Sequence, residues 1–274
     1  MNIKALIFLW APIILIGCHE ENSALHKEES NGPTVTVVDQ QIQPDPPLEN
    51  FNLGSKQLPE HFKASNPVQV MDAIASLQVD RQKGQYETKK EFTSRLDALK
   101  NTVLFDEVRL GGGFAFSLGR SFHYDADKQT FEFGKSYLLT NHGDNPNLDV
   151  YETQLDSSRF AILNKYFAER GYESLIHKQV IKLTLANLKG NIEKLYGKYK
   201  VDRVRAKEIA PDLEVIVVGY VVPPYFWTGD RYPDERRNPV VEHQFFINFR
   251  FEGMWLVNRA TGEILSRQYT IQKF

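Results

Sequence analysis

The run LEVIVVGYVV, residues Leu213 to Val222, is almost entirely apolar and rich in β-branched side chains. Such a run is typical of a strand whose two faces are both covered by other parts of the protein. Further on, Phe245, Ile247, Phe249 and Phe251 alternate with polar or small residues, which is the pattern of a second strand. The sequence therefore predicts a sheet at the centre of the folded part.

Two hairpins are predicted near these strands. In the first, residues 122–124 and 131–133 place aromatic side chains on alternate positions on either side of a polar turn. In the second, residues 255–257 and 264–265 flank a turn that contains Asn, Thr and Gly. Both hairpins join strands that run antiparallel.

Two helices are predicted ahead of the strands. Asn66 is a favourable N-cap, and Pro67 after it suits the first helical position. A second helix follows the capping box Thr88–Glu91, and its apolar residues Phe92, Leu96 and Leu99 recur at helical spacing.

The fold class predicted from these patterns is α+β, with N-terminal helices followed by a mainly antiparallel β-sheet. We expect one globular domain over residues 66–274. Residues 177–199 fit both a strand and a helix, because their apolar residues match both periods. We expect a strand there, followed by a loop or short helix.

The composition narrows the class of partner. The chain has 33 basic and 35 acidic residues, so its net charge of −2 offers no electrostatic footprint for nucleic acid. A hydrophobic content of 42% and an aromatic content of 12% are typical of a protein with a real core. Cys18 is the only cysteine, so no disulfide can form within the chain.

The first residues have the pattern of a secretory leader. Lys4 is followed by Ala5–Gly17, an uncharged and mostly apolar run of 13 residues. A helix of this length spans about 20 Å, whereas a bilayer core is about 30 Å thick. The run is therefore predicted to be the apolar region of a signal peptide rather than a membrane span.

The tetrapeptide Leu15-Ile16-Gly17-Cys18 resembles the lipobox of bacterial lipoproteins. The resemblance implies that residues 1–17 are a lipoprotein signal peptide and that Cys18 is lipidated and becomes the new N-terminus, often with a further acyl chain such as palmitate. Two or three acyl chains would anchor the protein stably in a membrane. In that family, an aspartate directly after the cysteine tends to retain the protein in the inner membrane. Here His19 stands at that position, which favours the outer membrane. The alternative is an ordinary secretory signal that happens to contain a cysteine.

Two further segments resemble bacterial envelope lipoproteins of unassigned function. They are Gly84–Leu96 and the later stretch Ala206–Pro224. The resemblance implies a location in the cell envelope and supplies no catalytic residues.

Residues 18–65 are predicted to be the lipidated cysteine and a flexible tether. The segment is rich in Glu, Asn, Ser, Gln and Pro and poor in bulky apolar residues. Within it, Thr34–Val38 has the composition of a short strand, but an extended segment of the tether is the favoured interpretation.

The segment 223–237 is the predicted binding site, because it follows the apolar strand and places aromatics among prolines and charges. Tyr, Trp and Arg are favoured at contact sites, and loops carry function more often than the scaffold does. The predicted binding residues are Tyr225, Phe226, Trp227, Arg231 and Tyr232. The alternative is a loop folded back so that its aromatics cover the edge of the core.

No metal site, cofactor or catalytic set is predicted. Gly111–Gly113 lacks the ending of a phosphate loop and suits a turn or bulge. His123, Asp125 and Asp127 could form a metal corner with residues 141–144, but solvent-facing polar residues explain them more simply. The oxygen-rich loop 144–149 lacks the order of an EF-hand. There is no Gly-x-Ser-x-Gly motif and no paired histidine motif.

The sequence therefore favours a membrane-anchored envelope lipoprotein with a non-enzymatic binding or assembly domain. Its partners would be the membrane, through the lipid anchor, and an envelope protein or cell-wall component. The alternative is an envelope hydrolase acting on cell-wall material with carboxylates such as Glu107 or Asp144, since acid–base pairs carry no fixed spacing. A third interpretation is a domain that only supports a larger complex.

Overall fold

The computed structural model describes residues 48–77, 83–139, 144–155, 176–232 and 240–274. The described α-helices are α1 (Pro67–Ser76), α2 (Lys89–Ala98) and α3 (Arg203–Ile209), and two short 3₁₀ helices span Leu99–Asn101 and Ala210–Asp212. The described strands are β1 (Val103–Phe105), β2 (Val108–Arg109), β3 (Gly113–Ser117), β4 (Phe122–Asp125), β5 (Thr130–Leu138), β6 (Asn147–Gln154), β7 (Ile176–Leu185), β8 (Ile192–Lys200), β9 (Leu213–Arg231), β10 (Val240–Asn258), β11 (Glu263–Ser266) and β12 (Thr270–Lys273). Strands dominate this part of the chain.

The strands form two main sheets and a small ribbon. The larger sheet has the strand order β3-β9-β10-β7-β6. Strand β7 pairs with the first half of β10, and β11 pairs with the last residues of β10 along the same edge. The smaller sheet has the order β12-β8-β5-β4, and β1 and β2 form the ribbon. All described pairs are antiparallel except β7 with β10. The mainly antiparallel arrangement is confirmed.

The main core lies between the two sheets. One cluster of buried side chains contains Phe131 and Leu195 from the smaller sheet and Phe116 and Phe249 from the larger one. Apolar residues of all three described α-helices join the same cluster. Burying each large side chain of this kind contributes about 1.5–3 kcal/mol, so this cluster is the main source of stability.

The two α-helices that precede the strands begin at their predicted caps. The side chain of Asn66 accepts hydrogen bonds from the first turn of α1, and Pro67 is its first residue. Thr88 and Glu91 form the predicted capping box at the start of α2. Arg95 pairs with Glu87 at 2.9 Å, and this hydrogen-bonded guanidinium lowers the pKa of Glu87 to about 2.

The predicted hairpins are present, and residues 177–199 contain two strands. Phe122 pairs with Phe133 in the first hairpin, and Val257 pairs with Ile264 in the second. Strand β7 confirms the expected strand in the ambiguous segment. The following part, expected to be a loop or short helix, is a loop that leads into the strand β8. The expectation of a possible helix there is corrected because Ile192 and Leu195 are buried from a strand.

Strand β9 does not end at Pro223, which corrects the prediction of a loop there. It continues to Arg231 because residues 222–225 bulge out opposite Asn248 and pairing resumes at Phe226. The side chain of Asn248 donates a hydrogen bond to the carbonyl oxygen of Pro223 at 2.6 Å. Prolines are tolerated in sheets at such bulges, where no ladder hydrogen bond is lost.

The segment 48–65 packs on the domain, which corrects the predicted boundary at residue 66. Residues 46–274 form one compact unit. Leu58 and Phe62 are buried against Trp255 on the outer face of the larger sheet. The amides of Phe51 and Leu58 donate to the carbonyls of Gly113 and Gly262, both at 2.8 Å. The remaining residues of the predicted tether, 18–47, lie outside the described residues.

The run Gly111–Gly113 is the place where this N-terminal segment approaches the sheet. A Cβ atom at Gly112 would collide with the side chain of Asn50, and one at Gly113 would collide with the carbonyl oxygen of Phe51. These glycines form a turn before β3, and their lack of side chains leaves room for residues 50–51 to pack against it.

Candidate functional site

A cleft lined by cations opens where the two sheets meet. Strand β12 pairs with β8 only as far as Tyr196, so the later part of β8 has a free edge on that side. This edge faces β11 and the residues after it, and the cleft between them has a volume of about 580 Å³. The lining residues are Lys56, Lys198, Tyr199, Lys200, Ile264, Leu265, Ser266, Arg267 and Gln268. Four of the nine are basic and none is acidic.

Three of the four cations have no carboxylate at ion-pair distance among the described residues. These are Lys56, Lys200 and Arg267, whereas Lys198 pairs with Glu132 at 3.0 Å. The Lys198 ammonium, hydrogen-bonded to Glu132, lowers the pKa of that carboxyl. A second acidic side chain, Glu263, lines a neighbouring hollow together with Lys56. The uncompensated charges make the cleft an electropositive surface on a chain whose net charge is negative.

Arg267 is held in place by the N-terminal segment. Its guanidinium lies 4.1 Å from the centroid of the Trp255 ring and donates a hydrogen bond to the carbonyl oxygen of Ser55. Trp255 packs in turn against Phe51, with ring centroids 5.3 Å apart. A guanidinium stacked on an aromatic ring keeps its remaining N–H groups available in a fixed direction. The cleft is therefore partly preorganised.

A second hollow of about 570 Å³ continues the cleft along β8 and shares Lys198, Arg267 and Gln268 with it. It is also lined by Tyr196, Gly197, Tyr269 and Thr270, and again by no acidic residue. Lys194 lies 4.8 Å from the centroid of the Tyr196 ring, so a further cation stands at its margin. The two hollows together offer a basic surface with neutral hydrogen-bonding side chains.

A chain of three titratable side chains crosses β7, β10 and β9 at the other end of the larger sheet. Nδ1 of His177 lies 3.1 Å from Nε2 of His243, and Nδ1 of His243 lies 3.0 Å from a carboxylate oxygen of Asp230. His177 is buried, and Asp230 is exposed. The parallel register between β7 and β10 brings the two histidines together, because it pairs His243 with Gln179 and His177 with Val241.

The geometry of this chain fixes which nitrogen donates. An ionised carboxylate only accepts, so Nδ1 of His243 carries the hydrogen of its bond to Asp230. The planes of the His177 and His243 rings differ by 11°. Their centroids lie 5.4 Å apart, which is about the N···N distance plus the distance from each ring centre to its own nitrogen. Each nitrogen therefore points at the other, as in a hydrogen bond. Burial first, and then the neighbouring His243, lower the pKa of His177.

Two of the five predicted binding residues belong to the core. Tyr225 is 2% exposed and Phe226 is 5% exposed, so neither can meet a partner. The hydroxyl of Tyr225 donates to the carbonyl oxygen of Leu96 at 2.6 Å and ties the β9 bulge to α2. Burial, with a smaller effect of Asp97, raises the pKa of Tyr225 to about 12. The alternative of aromatics that cover the core is correct for these two residues.

The other three predicted binding residues do not form one surface with them. Trp227 is half-buried on the opposite face from Phe226 and stacks on Phe246 at a centroid distance of 3.5 Å. Arg231 and Tyr232 are exposed at the end of β9. The rest of the predicted segment, residues 233–239, lies outside the described residues.

The weaker candidate sites have local structural roles. Asp125 accepts from Lys128, which lowers the pKa of that carboxyl, while residues 140–143 lie outside the described residues. Asn145 donates to three main-chain carbonyls at the end of β7 and just after it, and Asp149 pairs with Lys182 at 3.2 Å. Within the described ranges, no three His, Cys, Asp or Glu side chains converge as a metal site.

Glu107 and Asp144, the carboxylates considered for a hydrolase, are exposed. Neither lines the two basic hollows, whose lining residues include no carboxylate. The pair of carboxyl groups that glycoside hydrolysis uses is therefore not provided there.

The cleft residues were missed at the sequence level because three separate segments supply them. Lys56 comes from the predicted tether, Lys198 and Lys200 from β8, and Arg267 from the turn after β11. The alternation Lys194, Tyr196, Lys198, Lys200 would have been a usable signal, since it places three cations on one strand face.

Comparisons give no relative from which a role could be transferred. The chain matches no protein-family model, and neither curated proteins nor solved structures give a match. Among the described helices, none is both long enough and apolar enough to cross a membrane.

Proposed function

We propose that the chain is a lipid-anchored bacterial envelope lipoprotein whose folded part is a non-enzymatic binding module for an anionic envelope component. The observation that carries the binding role is the cleft of Lys56, Lys198, Lys200 and Arg267, with no acidic lining residue. A site with this charge favours an anion and disfavours a cation.

The anchor part of the proposal rests on the lipobox-like Leu15-Ile16-Gly17-Cys18. Residues 1–17 would be removed, Cys18 would carry the lipid, and the chain up to about residue 47 would tether the domain. The outer membrane is the proposed location, on the strength of His19 after the cysteine. A tether would let the basic cleft meet other envelope components near the membrane surface.

The test uses the full chain expressed in a Gram-negative host, beside Cys18→Ser. We expect the wild type to start at Cys18, to be heavier by its acyl groups and to fractionate with membranes, whereas the variant is released. An unlipidated, soluble wild type would remove the anchor from the proposal.

The binding role is tested in the same cells with a photoreactive residue at Gln268, which lines both hollows. Tyr86, fully exposed on the connection between α1 and α2, is the matched control position. We expect an adduct at 268 that is lost in Lys56→Gln/Lys200→Gln and absent at 86. Equal labelling at both positions, or none at 268, would contradict a binding cleft.

An envelope hydrolase is the second candidate, and the Asp230–His243–His177 chain is the observation that favours it. Asp230 orients His243 as a carboxylate orients a general base, although Nε2 of His243 faces Nδ1 of His177, so a substrate would have to displace that contact. If the wild type releases soluble fragments from purified cell wall and His243→Gln does not, the enzyme is favoured. If the wild type releases none, the binding module stands.

A further inference from the structure

We propose that the cleft binds a ligand that carries two neighbouring phosphate groups, one in each of its two hollows. This inference rests on the proposed binding function and specifies the ligand class. The ligand has to balance a positive charge, because the basic side chains line one cleft with few acidic neighbours.

The charge count favours a ligand with several negative charges over one with a single carboxylate. Four cations line the first hollow, and Glu132 balances one of them through Lys198. About three positive charges therefore remain, whereas a carboxylate supplies one negative charge and two acceptor oxygens. A phosphate monoester carries about 1.5 to 2 negative charges and three acceptor oxygens, so two such groups match the site.

The shape of the cleft also favours two anionic groups. The hollows of about 580 and 570 Å³ are joined through Lys198, Arg267 and Gln268. Lys56 and Lys200 belong to the first hollow alone, and Tyr196 and Thr270 belong to the second alone. A ligand with one phosphate in each hollow would place both groups beside the shared cations.

Arg267 is the residue best placed to contact both phosphates. Its stacking on Trp255 and its bond to the carbonyl oxygen of Ser55 fix the guanidinium plane, so less freedom is lost on binding. Gln268 adds a neutral hydrogen-bonding side chain common to both hollows. The lysines act as mobile point charges around this fixed group.

Such phosphate groups could belong to a soluble or polymeric phosphate or to lipid headgroups, and both share the same chemistry. Binding is measured by titration calorimetry on the chain from residue 18 carrying Cys18→Ser. The probes are inorganic pyrophosphate, citrate as a carboxylate of similar charge, and phosphatidylcholine vesicles with or without phosphatidylglycerol.

We expect pyrophosphate to bind, more weakly at high salt, and citrate to bind at least tenfold more weakly. Lys56→Gln/Lys200→Gln should weaken pyrophosphate about tenfold or more, because each lost charged contact costs a measurable factor. The matched control is Lys89→Gln/Lys90→Gln, which removes the same charge from exposed positions on α2 and should change the affinity less than about twofold.

Binding to phosphatidylglycerol vesicles alone, lost in the cleft variant, would overturn the two-phosphate ligand, because each headgroup carries one phosphodiester, and would leave the binding function with an anionic lipid surface as its ligand. Equal binding of citrate and pyrophosphate, or equal weakening by both double variants, would overturn it. No binding of any probe, with a cleft-dependent adduct at residue 268, would overturn the phosphate ligand and leave the binding function. No binding and no adduct would overturn both.

Discussion

The guanidinium of Arg267 lies over the ring of Trp255, 4.1 Å from its centroid. Trp255 belongs to the second cluster of buried side chains, which covers the outer face of the larger sheet and includes Leu58 and Phe62. The orientation of a cleft residue is thus coupled to the docking of residues 48–65. The stability of the domain and the shape of its basic cleft depend on the same segment.

Removal of residues 46–65 is expected to destabilise the domain strongly. Leu58 and Phe62 are buried, and each such side chain contributes about 1.5–3 kcal/mol, so the loss is about 3–6 kcal/mol. Total stabilities of small domains are only about 5–15 kcal/mol. Urea unfolding of chains that start at Pro46 and at Asn66 measures the difference. Equal unfolding midpoints would mean that the segment is not part of the domain.

Tyr225→Phe is expected to lower the free energy of unfolding by about 1 kcal/mol, because a buried hydrogen bond to Leu96 is lost. The effect stays moderate because the carbonyl of Leu96 also accepts from the amide of Leu99. Tyr86→Phe is the control, since Tyr86 is 92% exposed. If Tyr225→Phe were as stable as Tyr86→Phe, the hydrogen bond to Leu96 would make no contribution to stability.

Trp227→Ala is expected to cost about 2 kcal/mol of stability, because it removes a ring stacked on the buried Phe246. Arg231→Ala, on the exposed end of the same strand, should change stability by less than about 0.5 kcal/mol. Thermal and urea unfolding of both variants give the comparison. If Trp227→Ala left stability unchanged, Trp227 would be a contact residue rather than a packing residue.

The stability of the domain is expected to fall as the pH drops below about 6.5. Burial lowers the pKa of His177 in the folded state. At a pH between the pKa of the folded state and that of the unfolded state, the unfolded chain therefore binds one proton more than the folded chain. The stabilisation is complete above the unfolded value of 6.5 and is lost as the pH falls through the folded value.

Urea unfolding between pH 7 and 5 measures this dependence. His177→Gln should flatten it, while His123→Gln, at an exposed position of β4, should keep the wild-type slope. A slope in His177→Gln as steep as that of the wild type would assign the pH dependence to other groups.

Local chemistry made much of the fold predictable. The caps at Asn66 and Thr88, the hairpin of Phe122 with Phe133 and the buried strand from Leu213 depend on neighbours in sequence, and all are present. The extension of β9 was not predictable, because Pro223 and Pro224 favour an end and only the register with β10 shows the bulge.

The candidate site was less accessible to sequence reasoning than the fold. An aromatic segment such as Tyr225–Trp227 has the same composition whether it packs or binds, and contacts with Leu96 and Phe246 decide between the two. The basic cleft is formed by side chains up to 211 residues apart, from Lys56 to Arg267, so the alternating lysines of β8 are the part of it that a sequence spacing could indicate.

Mapping of pyrophosphate binding by nuclear magnetic resonance tests the central claim most directly. Amide shifts recorded during a titration should be confined to residue 56, residues 196–200 and residues 264–270, which line the joined hollows. They should disappear in Lys56→Gln/Lys200→Gln. Shifts centred on the Asp230–His243–His177 chain, or spread evenly over exposed lysines such as Lys90, would contradict a specific anion site in the cleft.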